Sequence, residues 1–455
     1  MKGLKLSLVI LVIMAAALLT IGLSGMAYAY HSGGVADCDG CHSMHAPKTG
    51  GSYLLQGTDE SSTCLNCHAS NATTPSSFHI MTYPVPAAGT PPAQMTPGGD
   101  FAYVLKTYTY SSHGTATTEQ GMTHGHNPVA FDYGITADTI LTTAPGGTFA
   151  STNMACPACH DPHGKYRRIG GDTPGSYTIA TTGAPIIGSG SYNNSLTPTT
   201  GQAVGSYRLL AGMGYTTQNG ALSIPYPGIP VAVAPSTYNQ AETNPAGTNQ
   251  IRVAYGYSTD GAGLTSWGEW CGACHTNFHS TSTTSSGMLT HPTDVALSSG
   301  PEQTNYGLYV SSGIMTGTPA TSYLSLVPFI QNSNDYSTAP TTGLKSTASG
   351  GTGEAVNPTT VLTGPGSTDQ VSCPSCHRAH ASGWQYNLRW NMNVEFITYA
   401  SGGVAVWPGT DNAGSSYANG RLSTETMAAY YNRPATLFGA SGYQRVLCNK
   451  CHAQD

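Results

Sequence analysis

Apolar positions are distributed unevenly along this chain. One unbroken run spans Leu6 to about Leu23, just after Lys2 and Lys5, and nothing later matches it. Beyond it, long stretches such as 173–203 and 338–369 show neither the helical nor the alternating apolar period. The pattern predicts a hydrophobic N-terminal segment followed by mostly irregular coil with short helices and few strands. The basic start, the apolar run and Ala27-Tyr28-Ala29 together form an export signal with a small-x-small cleavage site. The run is nearly long enough to span a bilayer, so an uncleaved anchor is the alternative. The expected division is a signal peptide over 1–29 and a single unit over 30–455.

Composition deepens the puzzle. The 455 residues would allow about three ordinary domains. Charged residues are only 8% of the chain, against roughly 25% in typical soluble proteins. Gly (56) and Pro (29) are abundant, and Thr, Ser, Ala and Tyr fill much of the remainder. Such a chain lacks the apolar surface to build a conventional core and alone would read as loops or disorder. The formal net charge is −6, with no basic patch, which argues against nucleic acid as a partner. Sparse charge also weakens repulsion between copies, a condition that permits self-association.

The cysteines resolve the puzzle. All 12 fall in six Cys-x-x-Cys-His motifs: Cys38/Cys41/His42, Cys64/Cys67/His68, Cys156/Cys159/His160, Cys271/Cys274/His275, Cys373/Cys376/His377 and Cys448/Cys451/His452. This is the attachment motif of c-type haem, in which two thiols form thioethers and the adjoining imidazole meets the iron. A zinc site gives no reason for His to follow every cysteine pair, and a redox dithiol would not recur six times. The motifs predict six covalently bound c-type haems. Each macrocycle is a large apolar body whose burial replaces that of side chains. The polypeptide is therefore expected to wrap a haem core as one multihaem cytochrome c unit.

Each iron has a second axial position to fill. Ten histidines lie outside the motifs: His31, His45, His79, His113, His124, His126, His163, His279, His291 and His380. That surplus favours bis-histidine ligation over methionine, the competing distal ligand. Three motifs extend to Cys-His-x-x-His: His42 with His45, His160 with His163, and His377 with His380. Residues three apart on a helix share a side, whereas two ligands of one iron approach from opposite faces. The second histidine of each pair should therefore serve a different haem. His279, four after His275, invites the same reading. His31 sits seven residues before Cys38, where it could fold back as a ligand. His113, His124 and His291 have no motif to position them, and His126 is intermediate.

Several segments extend well beyond these motifs. They include His31–His45, Cys159-His-Asp-Pro-His163-Gly-Lys-Tyr-Arg-Arg168, Cys376-His-Arg-Ala-His380-Ala-Ser-Gly383 and Leu447–Ala453. With Met95–Phe101, Ala234–Asn239 and Ala320–Phe329, they resemble the OmcS-type hexahaem cytochromes of metal-reducing bacteria over the whole mature chain. The resemblance implies head-to-tail self-association into a helical extracellular filament with a continuous haem stack. It implies bis-histidine ligation throughout, with one distal ligand crossing the subunit interface at the position of His45. Its candidate distal ligands are His31, His45, His79, His126, His163, His279, His291 and His380. That is eight for six places, so two are surplus, and His113 and His124 match nothing in the family pattern.

The expected function is extracellular electron transfer by a secreted protein, with no catalysis. Electrons would come from upstream outer-membrane donors and pass to acceptors such as metal oxides or partner cells. A soluble periplasmic electron shuttle is one alternative. A multihaem oxyanion reductase is another, although such enzymes often mark an open iron with Cys-x-x-Cys-Lys, which is absent from this sequence.

Overall fold

Each Cys-x-x-Cys-His segment is too short to form a long helix, and most contribute about one turn. Helices α1 (Cys38–Cys41), α2 (Glu60–His68), α3 (Cys156–Cys159) and α4 (Trp267–Gly272) hold or abut the first four motifs. Then come α5 (Pro301–Leu308), α6 (Cys373–Cys376) and α7 (Asn449–His452). This computed structural model describes residues 38–48, 53–70, 79–112, 114–163, 264–279, 291–297, 300–319, 326–332, 365–438 and 442–453. It also describes short pieces between 168 and 257, strand pairs at 284–285 and 288–289, and Leu324. The expected signal peptide, His31 and His113 lie outside the described residues. Among the described residues, no helix is long and apolar enough to cross a membrane.

Local chemistry explains where these turns begin. The Asp59 side chain caps α2 by accepting from the Ser62 amide at 2.7 Å. Ser266 and Glu269 form a reciprocal capping box on α4. Proline occupies the first turn of α3 and α6, where its missing N–H costs nothing. A recurring bond closes each turn. The motif histidine's amide donates to the first cysteine's carbonyl at 2.9 Å for His42, 3.0 Å for His160 and 2.9 Å for His377. His160 and His377 are already extended, so the helix stops at the second cysteine. The expectation that Cys-His-x-x-His continues as helix is therefore corrected: the chain turns away at the motif histidine.

Strands are few and short. The hairpin β1 (Tyr108–Ser112) and β2 (Thr115–Glu119) is the longest regular pair. A six-stranded sheet combines β3 (Ile229–Val233), β4 (Ala254–Tyr257), β5 (Leu264–Thr265), β6 (Val295–Ala296), β7 (Ile330–Asn332) and β8 (Gln370–Val371). Its order is β5-β3-β4-β7-β8-β6. Pairs β5/β3 and β4/β7 are parallel and the others antiparallel. Pairing of β6 with β8 brings the segment after His291 beside the segment entering Cys373.

Apolar packing divides into separate clusters, each touching haem-attachment segments. Trp384, Trp390, Trp407, Tyr430 and Phe438 pack near Cys376, Cys448 and Cys451. Phe101, Tyr103, Val104 and Leu65 form a second cluster, and Phe149, Tyr215 and Tyr226 a third beside Cys274. The mostly irregular, haem-wrapping architecture expected from the sequence is the one observed.

Several of the scarce charges are buried. Arg421 donates to Glu119 at 2.6 Å and to the Gly383 carbonyl at 2.6 Å, while His124 donates to the same carboxylate at 2.8 Å. The guanidinium also covers Tyr108 at 3.9 Å and Trp384 at 4.6 Å. Burial alone would raise the Glu119 carboxyl, but the Arg421 charge and the two donors overcome it and hold it down to about 2. The ordinary value is 4.5, so this group contributes about 3 kcal/mol above that pH. The contribution is lost as pH falls from about 4.5 toward 2. Acid titration of denaturant midpoints should show this loss, and Glu119→Gln should flatten it. Arg421→Met, which strands a buried carboxylate, should lower stability at neutral pH by about 3–5 kcal/mol in the same measurement.

Candidate haem-ligand site

An imidazole–metal bond is about 2 Å long, so two imidazoles on opposite faces of one iron hold ring centroids about 6 Å apart. Among the described residues, four pairs of histidines stand at that spacing. His42 faces His163 at 6.3 Å, His126 faces His275 at 6.1 Å, His160 faces His380 at 6.2 Å and His291 faces His452 at 6.2 Å. Each pair joins one motif histidine to one histidine from outside the Cys-x-x-Cys-His core. The interplanar angles differ: 7°, 55°, 56° and 71° in that order.

The second ring nitrogen decides which atom faces a metal. Donation by Nδ1–H fixes the tautomer and leaves the Nε2 lone pair free to ligate. His42 Nδ1 donates to the Tyr53 carbonyl at 2.6 Å, and His275 Nδ1 to Pro145 at 2.9 Å. His377 Nδ1 donates to Tyr386 at 2.8 Å, His126 Nδ1 to Ala379 at 2.9 Å and His291 Nδ1 to Pro292 at 2.9 Å. These acceptors are all backbone carbonyls. Desolvation, reinforced by neighbouring imidazoles, pushes His126 down to about 4 and His380 to about 3. Both are therefore neutral at physiological pH, the form that binds iron. Facing distance, tautomer and protonation all fit a bis-histidine haem.

Backbone ties hold the ligands in register. His380 donates its amide to the Gly98 carbonyl at 2.9 Å, and the His126 amide donates to the His380 carbonyl at 3.0 Å. Gly99 (φ 106°) crosses Ala381 so closely that a Cβ would lie 1.6 Å from the Ala381 carbonyl oxygen. Only glycine fits there. Neighbouring pairs are thus linked. His160 and His163 belong to two different facing pairs, and the ladder through His380 ties a third pair to them. Attachment sites also abut: Cys64 touches Cys156, and Cys271 touches Cys373, the thiols standing in for thioether sulfurs.

The second motif departs from the others. Cys64, Cys67 and His68 all lie inside the longer helix α2, and Cys67 is exposed on its last turn. Leu65 of the same helix is buried in the Phe101 cluster, and a residue two positions further on points about 200° away from it.

Two expected distal ligands are placed elsewhere. His79 is fully buried, its Nδ1 bonded to the Ser70 hydroxyl and its Nε2 to Thr82 at 3.1 Å and Asp100 at 3.3 Å. Both nitrogens are engaged, so this expectation is corrected. His279 turns its Nε2 to Asp294 at 3.2 Å rather than to a motif histidine. The i+4 reading is corrected likewise, because α4 ends at Gly272 and His279 leaves the helical turn. His124 lies in the Glu119–Arg421 cluster. His45 is exposed, next to Met44 at 82% exposure, and no described imidazole faces it. Nor does any described imidazole face His377. His291, ranked low from spacing, faces His452 across 161 positions, and nothing in the local sequence signals that pairing.

No protein-family model matches the chain. It is 47% identical to the C-type cytochrome OmcS of Geobacter sulfurreducens, covering 100% of both proteins. Two solved structures are also similar. A cryo-EM structure of OmcS nanowires from Geobacter sulfurreducens matches 93% of this chain and 100% of that one, with 43% identity and a TM-score of 0.76. The Outer Membrane Cytochrome S filament of the same organism matches over the same shares, with 43% identity and a TM-score of 0.74. Full-length identity of this order, on a chain whose imidazoles already face one another as haem ligands, has one meaning: the chain belongs to the OmcS family of c-type cytochromes.

Proposed function

We propose that this protein is a hexahaem subunit of an extracellular filament that conducts electrons along a continuous row of haems. It is an electron carrier and not an enzyme. The observation that carries the reading is the set of facing imidazoles together with His45 and His377, neither of which faces an imidazole among the described residues. Haem supplies the one-electron Fe(III)/Fe(II) couple, and the polypeptide supplies ligands, spacing and insulation.

The proposed proximal ligands are His42, His68, His160, His275, His377 and His452, beside thioethers from all 12 cysteines. Distal ligands to four of these irons are His163, His380, His126 and His291. His45, exposed at one end of the described chain, ligates the iron of His377 in a neighbouring subunit. His31 then remains for His68, since hydrogen bonds engage both nitrogens of His79 and Asp294 engages Nε2 of His279. If every subunit gives one histidine and receives one, six distal positions per chain stay filled. Such a head-to-tail contact propagates without closing when its rotation does not complete a ring. Every iron is saturated, which leaves no position for an oxyanion substrate. Outer-membrane donors and extracellular acceptors such as metal oxides or partner cells are the proposed partners.

Four measurements test this assignment. Haem quantitation as the pyridine complex should give six haems per chain. His45→Ala should keep that content yet sediment as a monomer and form no filaments in electron micrographs; normal filaments from it would sink the trans-ligand role. His163→Ala should create a high-spin component in the electronic spectrum. His79→Gln should leave the low-spin spectrum intact and instead lower stability by about 1–3 kcal/mol, the cost of disturbing buried hydrogen bonds.

A further inference from the structure

We propose that the four facing pairs set unequal reduction potentials: the iron between His42 and His163 is the hardest of the four to reduce, and the iron between His160 and His380 the easiest. This rests on the ligand assignment above. Two independent features of the side chains push in the same direction.

The first is the angle between imidazole planes. In low-spin Fe(III) the hole occupies a d orbital that interacts with the imidazole π systems. Parallel planes direct both π systems at the same orbital and so stabilise the ferric state. Twisted planes divide that donation between two orbitals. His42 and His163 are nearly parallel at 7°, whereas His160 and His380 are twisted by 56°.

The second feature is the hydrogen bond behind the ring. Donation from Nδ1–H to a carbonyl makes the imidazole a stronger donor to iron and lowers the potential. His42 has a short one, at 2.6 Å to Tyr53, and His163 is exposed, with solvent available as acceptor. His380 differs from the other distal ligands described: its Nδ1 is buried without a hydrogen-bond partner. That nitrogen lies against Gly98, where an added Cβ would come within 2.8 Å. The Phe101 ring packs on the imidazole with centroids 4.8 Å apart. Gly98 and Phe101 are thus positioning residues that surround the ring with groups unable to accept from it. The twisted pair His126/His275 has both Nδ1 atoms bonded, and His291 in the most twisted pair is bonded too, so neither matches His380 in both respects.

Nearby carboxylates do not reverse this ordering. Asp161, which follows His160, accepts from the His163 amide at 3.1 Å, so its charge does not single out the His160 iron. Asp100 lies nearer His380 and its charge opposes this ordering, but donors from Thr82, Ala102 and Gln94 spread that charge away from the imidazole. Among these four irons of each subunit, electrons in a partly reduced filament would therefore gather on that of His160 and His380.

The test is a reductive titration of native filaments with dithionite, followed by electron paramagnetic resonance at fixed potentials. A near-parallel pair gives a rhombic low-spin signal, and strongly twisted pairs give highly anisotropic ones. His163→Met and His380→Met, each compared with native protein, assign the two signals by their disappearance. The rhombic signal lost in His163→Met should persist to the lowest potential of the four. The signal lost in His380→Met should vanish first. The expected separation is at least about tenfold in the reduction equilibrium, about 59 mV for one electron. The reverse order, or a smaller separation, would overturn the proposal. If neither substitution removes a low-spin signal, the ligand assignment itself is what fails.

Discussion

Two imidazoles must face each other across about 6 Å for one iron to sit between them, and the rest of this fold serves that requirement. The facing residues are far apart in sequence, as with His160 and His380 or His126 and His275. No single helix or hairpin brings them together. Single-turn helices aim the motif histidines, backbone carbonyls fix their tautomers, and a short ladder through Gly98, His380 and His126 aligns the partners. Regular secondary structure is scarce because little of it is needed. A chain of low charge and high Gly and Pro content can fold this way only when the haems supply the apolar interior that its own side chains lack.

The proposed attachment sites and proximal ligands could be read from sequence because their chemistry is contiguous there. The Cys-His-x-x-His argument reached the separate pairings of His160 and His163 even though its premise of a continuing helix did not hold. Distal pairing was only partly legible. His291 carries no local mark, since its place depends on the β6–β8 pairing, a contact between distant segments. His79 and His279 resembled ligands by position, yet Asp100 and Asp294 hold them. A buried histidine with a carboxylate at its Nε2 is indistinguishable in one sequence from a histidine awaiting iron.

The few charges also work differently from those of an ordinary soluble domain. Lys106, Arg378, Arg389, Arg421, Arg433 and Lys450 are all buried, bonded to carbonyls or carboxylates or stacked on aromatic rings. Cations used in this way join loops where strands and helices are missing. Arg421 alone connects the hairpin residue Glu119 to the Gly383 carbonyl beside the His380 segment. Their withdrawal from the exterior leaves the outer face with still less positive charge than the composition implies.

The three-residue step from His160 to His163, and from His377 to His380, has a consequence for conduction. Even fully extended, three residues span only about 10 Å. Where both histidines of a step ligate, the backbone itself sets an upper bound on the gap between successive irons. Neither loop insertion nor loosened packing elsewhere can lengthen that gap. The hopping distance, on which electron-transfer rate depends most steeply, is in this sense written into covalent chain length.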